Sequence, residues 1–600
     1  MGVKIGCRWL SWEQWLIVIA MGAALSAGIH WGLPNKRRMD LLLGGQSLTE
    51  RQRQLLTTLR ESYYEKLDAE EDEAAEKALR GEKVELAPSG EPGGALSEEE
   101  RLAALRAFLS GSEAIDERKT YSALSRMNPG RLDFDPRMYI YGGSYLYPLG
   151  AILYGFKSIG LLHVTDDFSR YLRRPSEIAL LYMAGRGLNI AAFLGTLLLL
   201  GRLGMTMAGR LSGTGAMLAY SFSTLPLNQC LVSKPHVYAA FWALLSLYLL
   251  VCHAERGRLH HLLLSGAAAG WAAGASLPCG ALALLFPIVL WDRRDVGGAL
   301  RKVAMAWAGM GLVFLITNPY ALIRFDRYWL TVKAQTSPEG WGHGSISLRK
   351  LGGYIRCVFT QAYCFPVSVL GALGLGEALA RGRAPARRVA AGTVCLLLAI
   401  GLSLDFPRYS IFVGALICLF AGWGLGVLSR CLRGTSGVVQ AGALTLMFLP
   451  GAFFAGLFVR DVVWDEKWLG PAVAWARSAE VNARSSFGVF GSPNPVNSPP
   501  FPFLNARVVN LKKWSGEQAP PDFVILGNYS NDRSLWAAHP LRSQYELAHE
   551  LGYRPSYDWL LRWRVKSQSR MAGWVYRRRG AADGGGETAS QRSSPAQPGP

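Results

Sequence analysis

The chain has 600 residues, of which 50% are hydrophobic and 18% are charged, and its formal net charge is +20. The basic residues lie in short clusters between long apolar runs, a placement typical of membrane proteins, so the positive charge does not indicate a nucleic-acid-binding protein. The cysteines lie in or beside the apolar runs, which argues against a disulfide framework or a zinc motif.

The apolar runs predict about eleven membrane-spanning helices, because a hydrocarbon core of about 30 Å needs about 20 residues of helix. The fifth and sixth runs are short, and Pro278 between them predicts a tight reversal of the chain. The runs cover approximately residues 14–31, 178–200, 213–231, 237–253, 262–276, 279–290, 303–318, 353–377, 389–404, 410–428 and 438–458.

The charge of the connecting segments predicts the orientation of the chain. With a cytoplasmic N-terminus, six short inside segments hold sixteen basic residues and the short outside loops hold seven. Because Lys and Arg are enriched on the cytoplasmic side, we expect a multi-pass protein of the plasma (inner) membrane with an extracytoplasmic C-terminal domain. A cleaved signal peptide is the alternative for the first run, since residues 24–27 include small side chains near the required spacing.

Residues 147–163 are apolar, but they are too few and too interrupted for a clear span. Counting them as a span would invert every later loop and remove the charge bias. We therefore expect them to form a helix that lies at the outer membrane interface.

The expected fold class is an all-α polytopic membrane protein with a small mixed α/β C-terminal extracytoplasmic domain. Short β-like runs such as Phe523–Leu526 indicate strands in that last domain. The predicted regions are an N-terminal transmembrane helix (1–31), a long extracytoplasmic loop with interfacial helices (32–177), the transmembrane core (178–458), the C-terminal domain (459–580) and a disordered tail (581–600).

Polar residues that could carry chemistry gather at the predicted outer face. A carboxylate, isolated cations and aromatic side chains at one membrane interface suit a reaction between an anionic lipid and an external acceptor, with the carboxylate as general base and the cations on a phosphate. Each residue taken singly also fits an ordinary role, such as solvated loop surface, a snorkelling lysine or an interfacial anchor. The candidates are Asp116, Glu117, Lys234, His236, Asn318, His343, Arg408 and Tyr409, with Tyr147 in the interfacial segment.

The order, spacing and common sidedness of these motifs resemble the GT-C superfamily of polyprenyl-phosphate-sugar-dependent glycosyltransferases. The resemblance runs over roughly residues 112–430 and is strongest to the protein mannosyltransferase and lipid A aminoarabinose transferase group. The features that carry it are the acidic pair Asp116-Glu117 in the first external loop, the segment Tyr145-Leu146-Tyr147-Pro148-Leu149 on an interfacial helix, Arg186 in the second span, Asn318-Pro319-Tyr320 at the end of a middle span and the external Arg408-Tyr409.

The resemblance implies a glycosyltransferase that moves a sugar from a polyprenyl-phosphate donor to a hydroxyl of a glycan, lipid or protein acceptor, with inversion. It implies that Asp116 is the base, that Glu117 orients or assists it, and that Arg408 with Lys234 stabilises the departing phosphate. Many members carry an acid where this chain has Lys234-Pro235-His236. This position therefore supplies no acidic metal ligand and no cofactor is certain, while the acids of the first loop leave Mg²⁺ or Mn²⁺ open.

Two other functional classes stay open at this point. A transporter or lipid flippase would place polar groups near the middle of the membrane, and the predicted spans carry few such groups. A non-catalytic envelope assembly protein would use the long loop and the C-terminal domain as docking surfaces, and it would not need carboxylates and cations to converge on one pocket.

Overall fold

A computed structural model places most of the chain. It describes residues 10–44, 47–59, 95–114, 117–165, 168–336, 346–403, 407–463, 466–478, 481–482, 484–495, 498–516, 518–527, 532–551 and 573–579. Asp116, His343 and the tail 581–600 lie outside the described residues.

Helices dominate the described residues. In the N-terminal half they are α1 (Trp12–Ala27), α2 (Lys36–Leu43), α3 (described over 50–59), α4 (Glu98–Ser110), α5 (Glu117–Arg126), α6 (Gly143–Ser158), α7 (Phe168–Arg173), α8 (Pro175–Ala208), α9 (Arg210–Ser221), α10 (Thr224–Cys230), α11 (Pro235–Arg256) and α12 (Leu259–Ala275). They continue as α13 (Leu285–Leu290), α14 (Val296–Thr317), α15 (Tyr320–Ile323), α16 (Phe325–Thr336), α17 (Leu348–Cys357), α18 (Phe365–Arg381), α19 (Ala384–Ser403), α20 (Ile411–Cys431), α21 (Gly437–Val463), α22 (Glu466–Ala476) and α23 (Asp532–Ala537).

Six helices in the described part of the chain are long and apolar enough to cross a membrane, namely α8, α11, α14, α19, α20 and α21. The first predicted run forms the shorter helix α1, and residues 277–290 form a 3-10 segment followed by α13. The third run is divided between α9 and α10, and the eighth between α17 and α18. The polytopic helical class is therefore confirmed, whereas eleven separate spans are not.

Helix α20 lies at the centre of the helical region and is buried along most of its length. It packs against α9 and α18, and small residues allow the backbones to come close. A side chain at Gly424 would lie 2.1 Å from the carbonyl oxygen of Leu370 in α18. Replacement of this glycine by a larger residue would therefore separate the two helices.

The predicted interfacial segment forms helix α6. Its N-terminal half is buried, including Tyr145 and Leu149, whereas the half after Ile152 is largely exposed. Tyr154 is 67% exposed, and Ile159 just beyond the helix is 69% exposed. An exposed apolar helix end beside a membrane bundle is typical of an element that lies in the interface.

The C-terminal domain contains a five-stranded mixed sheet, as the sequence predicts. Its strands are β1 (Ser486–Val489), β2 (Arg507–Asn510), β3 (Phe523–Leu526), β4 (Tyr545–Leu551) and β5 (Gly573–Arg578), in the order β2-β1-β3-β5-β4. Strand β1 is parallel to β2 and β3, and β5 is antiparallel to β3 and β4. The domain therefore contains both helices and strands, and its sheet contains both parallel and antiparallel pairs.

The long first loop and the C-terminal domain share one hydrophobic core. Leu42 of α2, Phe108 of α4, Tyr182 of α8 and Phe503 before β2 belong to the same buried cluster. Leu96 donates its backbone N–H to the Val508 carbonyl over 2.7 Å, which adds the start of α4 to the edge of the sheet. Both parts thus lie at the same end of the membrane helices, the end at which α8 begins.

Candidate functional site

Glu117, the second residue of the predicted acidic pair, lies at the start of α5 and is fully buried with Arg186 of α8. Arg186 donates from Nε to Oε1 over 2.9 Å and from Nη2 to Oε2 over 2.8 Å, so the ion pair is bidentate. The Ser233 backbone N–H donates to Oε1 over 2.7 Å, and the Ser112 hydroxyl donates to Oε2. Both oxygens of Glu117 are therefore already occupied by donors.

Arg186 extends this network to the N-terminal helix. Its Nη1 donates to the carbonyl oxygens of Ile29 over 2.9 Å and Trp31 over 2.6 Å, which follow α1. The guanidinium therefore connects α1, α5 and α8 at one end of the bundle. A charge buried inside a membrane protein is costly unless it is paired, and this arrangement pairs it completely. Glu117 is thus suited to position its neighbours rather than to accept a proton.

The short loop before α11 is held by several polar side chains around Ser233. The Thr120 hydroxyl donates to the Ser233 carbonyl over 2.8 Å, and the Tyr121 hydroxyl donates to Ser233 Oγ over 2.9 Å. The Asn189 amide donates to the carbonyls of Val232 over 2.6 Å and Lys234 over 2.8 Å. The network fixes the backbone from which the next two candidate residues project.

Lys234, His236, Arg408 and Tyr409, here called the cationic cluster, come together from two distant parts of the sequence. Lys234 is the N-cap of α11 and is 1% exposed, and His236 in the first turn is 5% exposed. The ring of His236 is 5.1 Å from that of Tyr409, and the Arg408 guanidinium lies 5.3 Å from the same tyrosine ring. The charges of Lys234 and Arg408 both act on the imidazole.

The imidazole of His236 packs edge-on with two aromatic rings, Tyr409 and, at 6.3 Å, Tyr141. Neither ring nitrogen has a hydrogen-bond partner among the described residues. An orphaned buried polar group is unusual in a native structure and is typical of a site that a ligand completes.

Asn318 and Tyr147, two further candidates, lie outside the cationic cluster. Asn318 Oδ1 accepts the Gly143 N–H over 2.8 Å, and its Nδ2 donates to the Phe314 carbonyl over 3.1 Å. A side chain at Gly143 would lie 2.1 Å from the Thr317 carbonyl oxygen. Asn318 therefore acts as the cap that fixes the start of α6 against the end of α14.

Tyr147 instead lines a small cavity of about 20 Å³ between α6, α12, α14 and α16, here called the tyrosine pocket. Tyr139, Tyr141, Tyr147, Tyr320 and Tyr328 contribute to its wall, together with Asn318. Because Tyr141 also contacts His236, the pocket and the cationic cluster share one wall. The predicted residues thus form two adjoining groups rather than a single cavity.

Asp135 belongs to the acids of the first loop, and the sequence analysis gave it no role of its own in the site. Its carboxylate is almost buried, accepts the Tyr139 hydroxyl over 3.0 Å and lies 3.8 Å from Arg324. Burial first, and then the Asp135 charge, raise the pKa of Tyr139. The RLDFDPRMY motif in which Asp135 lies contains two acids separated by one residue, and that spacing was the available signal.

The sequence left a divalent metal open on the acids of the first loop, of which Asp116 lies outside the described residues. No three His, Cys, Asp or Glu side chains among those residues come together in a way that could hold one. The donors of the cationic cluster are a lysine, an arginine and one histidine, and two of these three repel a cation.

Comparison with known proteins finds similarity only to solved structures. No family model matches the sequence, and no curated protein matches it. Similar solved structures include ArnT from Cupriavidus metallidurans bound to undecaprenyl phosphate, with 13% identity, a TM-score of 0.39, and coverage of 77% of this chain and 93% of that one. The Archaeoglobus fulgidus oligosaccharyltransferase in its apo form has 13% identity and a TM-score of 0.36, over 57% of this chain and 51% of that one. Both are GT-C glycosyltransferases, the superfamily that the sequence resembles, but TM-scores this low assign neither an activity nor a ligand to this chain.

Proposed function

We propose that the protein is a membrane glycosyltransferase that moves a sugar from a polyprenyl-phosphate carrier to an acceptor hydroxyl at the outer membrane face, with inversion at the sugar carbon. The observation that carries the proposal is the cationic cluster, in which Lys234, His236 and Arg408 gather at one end of the helices α11 and α20.

Lys234 is buried and Arg408 is partly buried, and two cations brought together beside one imidazole suit an anionic ligand that lowers their mutual repulsion. A phosphate monoester or diester fits this cluster, because Arg can donate two parallel hydrogen bonds and Lys supplies a compact charge. The exposed apolar end of α6 provides a lipid-facing surface near the same end of the bundle. Together these features suit a phosphate that is attached to a long apolar chain.

Asp116 is proposed as the general base. Asp116 directly precedes Glu117 in the sequence. Glu117 is held by its ion pair with Arg186 and accepts the Ser233 N–H, and Ser233 is followed by Lys234. In the proposed step the acceptor oxygen attacks the sugar carbon, Asp116 takes the hydroxyl proton, and the bond from that carbon to the phosphate oxygen breaks. The released phosphate stays on the cationic cluster, whose charges stabilise the leaving group.

The same proposal includes the location of the protein and whether its reaction uses a metal ion. The charge bias supports a cytoplasmic N-terminus in the plasma membrane, which would place the cationic cluster and Asp116 on the extracytoplasmic side. The acceptor is a hydroxyl of a glycan, a lipid or a protein. Chelation followed by addition of Mg²⁺ or Mn²⁺ in the transfer assay tests whether the reaction needs a divalent metal.

The first test is binding of undecaprenyl phosphate to the purified chain, measured by native mass spectrometry. Arg408→Ala should weaken binding by roughly ten- to hundred-fold, because hydrogen bonds to charged groups contribute about 1.5–3 kcal/mol. The matched control is Arg430→Ala, at the opposite end of α20, where Arg430 pairs with Glu377 over 3.2 Å. Equal binding by both variants would overturn the assignment of the cationic cluster.

The second test measures sugar transfer itself. Mass spectrometry compares the envelope glycans and glycoproteins of cells with and without the protein. Asp116→Asn should reduce transfer by about 10²–10⁴-fold while undecaprenyl phosphate binding persists. Full transfer by Asp116→Asn would remove Asp116 from the mechanism. Unchanged envelope glycans in cells that lack the protein would favour the transporter or assembly alternatives.

A further inference from the structure

The residues that flank Asp116 in the sequence are tied to each other by hydrogen bonds. The Glu117 N–H donates to the Ala114 carbonyl over 3.4 Å. The Ser112 hydroxyl oxygen accepts the Ala114 N–H over 3.2 Å, while the Ser112 proton goes to the Glu117 carboxylate. Because Asp116 is joined to these residues by a few peptide bonds, any movement of Ala114 or Glu117 moves its points of attachment.

A second buried arginine, Arg38 of α2, holds the side of this segment that precedes Asp116. Its Nη1 lies 4.0 Å from Glu113 Oε1, and the two side chains are 2% and 6% exposed. Its guanidinium also lies 5.1 Å from the centroid of the Phe108 ring in α4. The Asn35 side chain caps α2 by accepting the Arg38 N–H over 2.8 Å. Arg38 therefore connects α2 and α4 with the segment before Asp116.

Arg38 and Arg186 also contact the same stretch of backbone, residues 29–32 between α1 and α2. The Gly32 carbonyl accepts the Glu113 N–H over 3.0 Å and a proton of Arg38 Nη1 over 3.4 Å. Arg186 donates to two other carbonyls of this stretch. Gly32 has a φ of 62°, and a side chain there would lie 3.0 Å from Glu113 Cβ, so this close contact requires glycine.

The placement of the two ion pairs favours a role in orientation over a role in filling the core. A buried ion pair is often no more stabilising than apolar side chains of similar volume, so stability alone does not explain its presence. The pairs Glu113–Arg38 and Glu117–Arg186 stand on either side of Asp116 in the sequence. Two anchors so placed fix the segment that lies between them.

We propose that Arg38 is a positioning residue for sugar transfer, which acts by holding Glu113 and the Gly32 backbone and thereby the segment that leads to Asp116. The effect on transfer rests on the proposed function, in which Asp116 is the base. The restraint of residues 111–114 does not rest on it, and the two are measured separately.

Hydrogen–deuterium exchange of the full chain in detergent micelles measures the restraint itself. Arg38→Met should raise the exchange rate of the amides in residues 111–119 about ten-fold, because the segment loses one of its anchors. Gly32→Ala keeps every charge in place but displaces Glu113, and it should change exchange in the same direction.

The matched control is Arg106→Met, because Arg106 is also a buried arginine of the first loop, at 5% exposure. It donates to the Leu56 carbonyl over 2.9 Å and lies 4.1 Å from the Phe168 ring. We expect exchange in residues 111–119 to be unchanged in this variant. Equal exchange in Arg38→Met and Arg106→Met would overturn the restraint.

Transfer at saturating donor and acceptor measures the role in the reaction. Arg38→Met should lower the rate about ten- to hundred-fold, since a small displacement of a reacting group has effects of this size. Arg38→Lys, which keeps the charge, should restore part of the rate. Undecaprenyl phosphate binding should be unchanged, because other residues form the cationic cluster. In an Asp116→Asn background, Arg38→Met should cause no further loss, as expected if Arg38 acts through Asp116.

A further loss in the Asp116→Asn background, or an equal loss of transfer in Arg106→Met, would overturn the positioning role. Weaker undecaprenyl phosphate binding in Arg38→Met would overturn it as well. Failure of the unmodified protein to transfer sugar would overturn the proposed function and leave the exchange result standing.

Discussion

The buried pair Glu117–Arg186 predicts a large and specific loss of stability. Arg186→Met leaves the Glu117 carboxylate buried without its cation, which costs about 3–5 kcal/mol. The apparent melting temperature in detergent should therefore fall sharply. The additional change Glu117→Gln should recover part of the loss, because the uncompensated charge is then removed.

The control for this pair is Arg170→Met. Arg170 pairs with Glu177 over 2.8 Å but remains one-third exposed, so its removal should cost only about 0–1 kcal/mol. Equal losses for Arg186→Met and Arg170→Met would show that Glu117–Arg186 does not hold α1, α5 and α8 together.

His539 predicts a pH dependence in the C-terminal domain. Its Nε2 lies 3.2 Å from the Leu511 carbonyl oxygen and its Nδ1 accepts the Leu541 N–H, an arrangement that needs the neutral imidazole. Burial against Trp536 and its aromatic neighbours lowers the pKa of His539 below 6.5. The folded state therefore prefers neutral histidine more strongly than the unfolded state does.

The stability that His539 contributes is present above pH 6.5 and is lost as the pH falls through its lower folded pKa. The protection factors of the amides in β3 and β5, corrected for the intrinsic pH dependence of hydrogen exchange, should accordingly fall as the pH is lowered from about 7.5 to 5. His539→Gln should flatten this pH dependence. A pH dependence of equal steepness in the variant would assign it to other groups.

The sequence predicted which polar residues lie at the outer membrane face, but it did not predict which of them form ion pairs or hydrogen bonds with each other. Glu117 could be selected because it stands in an acidic pair, yet its partner Arg186 is 69 residues away and was identified only as an arginine in a span. Lys234 and His236 were expected on the same side as Arg408 and Tyr409, because alternating topology puts the loops after the third and ninth spans on one side. Spacing along the chain does not determine side-chain contacts between such distant segments.

At the scale of elements, the start of α6 determines the shape of the tyrosine pocket. Gly143→Ala would bring a methyl group to 2.1 Å from the Thr317 carbonyl and to 2.6 Å from the Tyr147 ring. We expect α6 to move away from α14, so the apparent melting temperature in detergent should fall. Gly155→Ala in the same helix meets no atom within 4 Å and should leave the melting temperature unchanged.

Equal melting temperatures for Gly143→Ala and Gly155→Ala would show that the close contact of α6 with α14 does not stabilise the helical region.

Element types were predictable from apolar periodicity, whereas element boundaries were not. The run 213–231 predicts one helix, but the chain breaks between α9 and α10 at Phe222 and Ser223. The run 353–377 is likewise interrupted by a π-helical turn before Cys364, which adopts a left-handed backbone conformation with φ 62°. Hydropathy reports the burial of a segment, and such breaks depend on the neighbours against which it packs.

For the molecule as a whole, the shared core predicts that the first loop and the C-terminal domain face the same compartment. Single cysteines at Ser97 and Ser534, both exposed, should therefore react with a membrane-impermeant maleimide in intact cells, in a background without native cysteines. A cysteine at Ser436, exposed at the opposite end between α20 and α21, should react only after permeabilisation. Reaction at one of the first two positions alone would contradict the shared core.

Sequence patterns did not predict that the first loop packs against the C-terminal domain. Their helices and strands each carry recognisable apolar positions, such as Phe108 in α4 and Phe503 before β2. Nothing in either pattern specifies that the two rings meet at 5.8 Å, because such complementarity depends on three-dimensional shape.

The bridge between Ala95 and Val509 joins positions separated by more than 400 residues. At a synthesis rate of about 5–20 residues per second, the ribosome needs roughly 20–80 s to make the second partner after the first. Throughout that interval α2 and α4 can pack only on each other and on early partners such as α8, and the part of their apolar surface that Phe503 and the sheet cover stays exposed. We therefore expect a nascent chain that stops before β2 to expose this apolar surface, and to need a chaperone or a lipid surface that covers it.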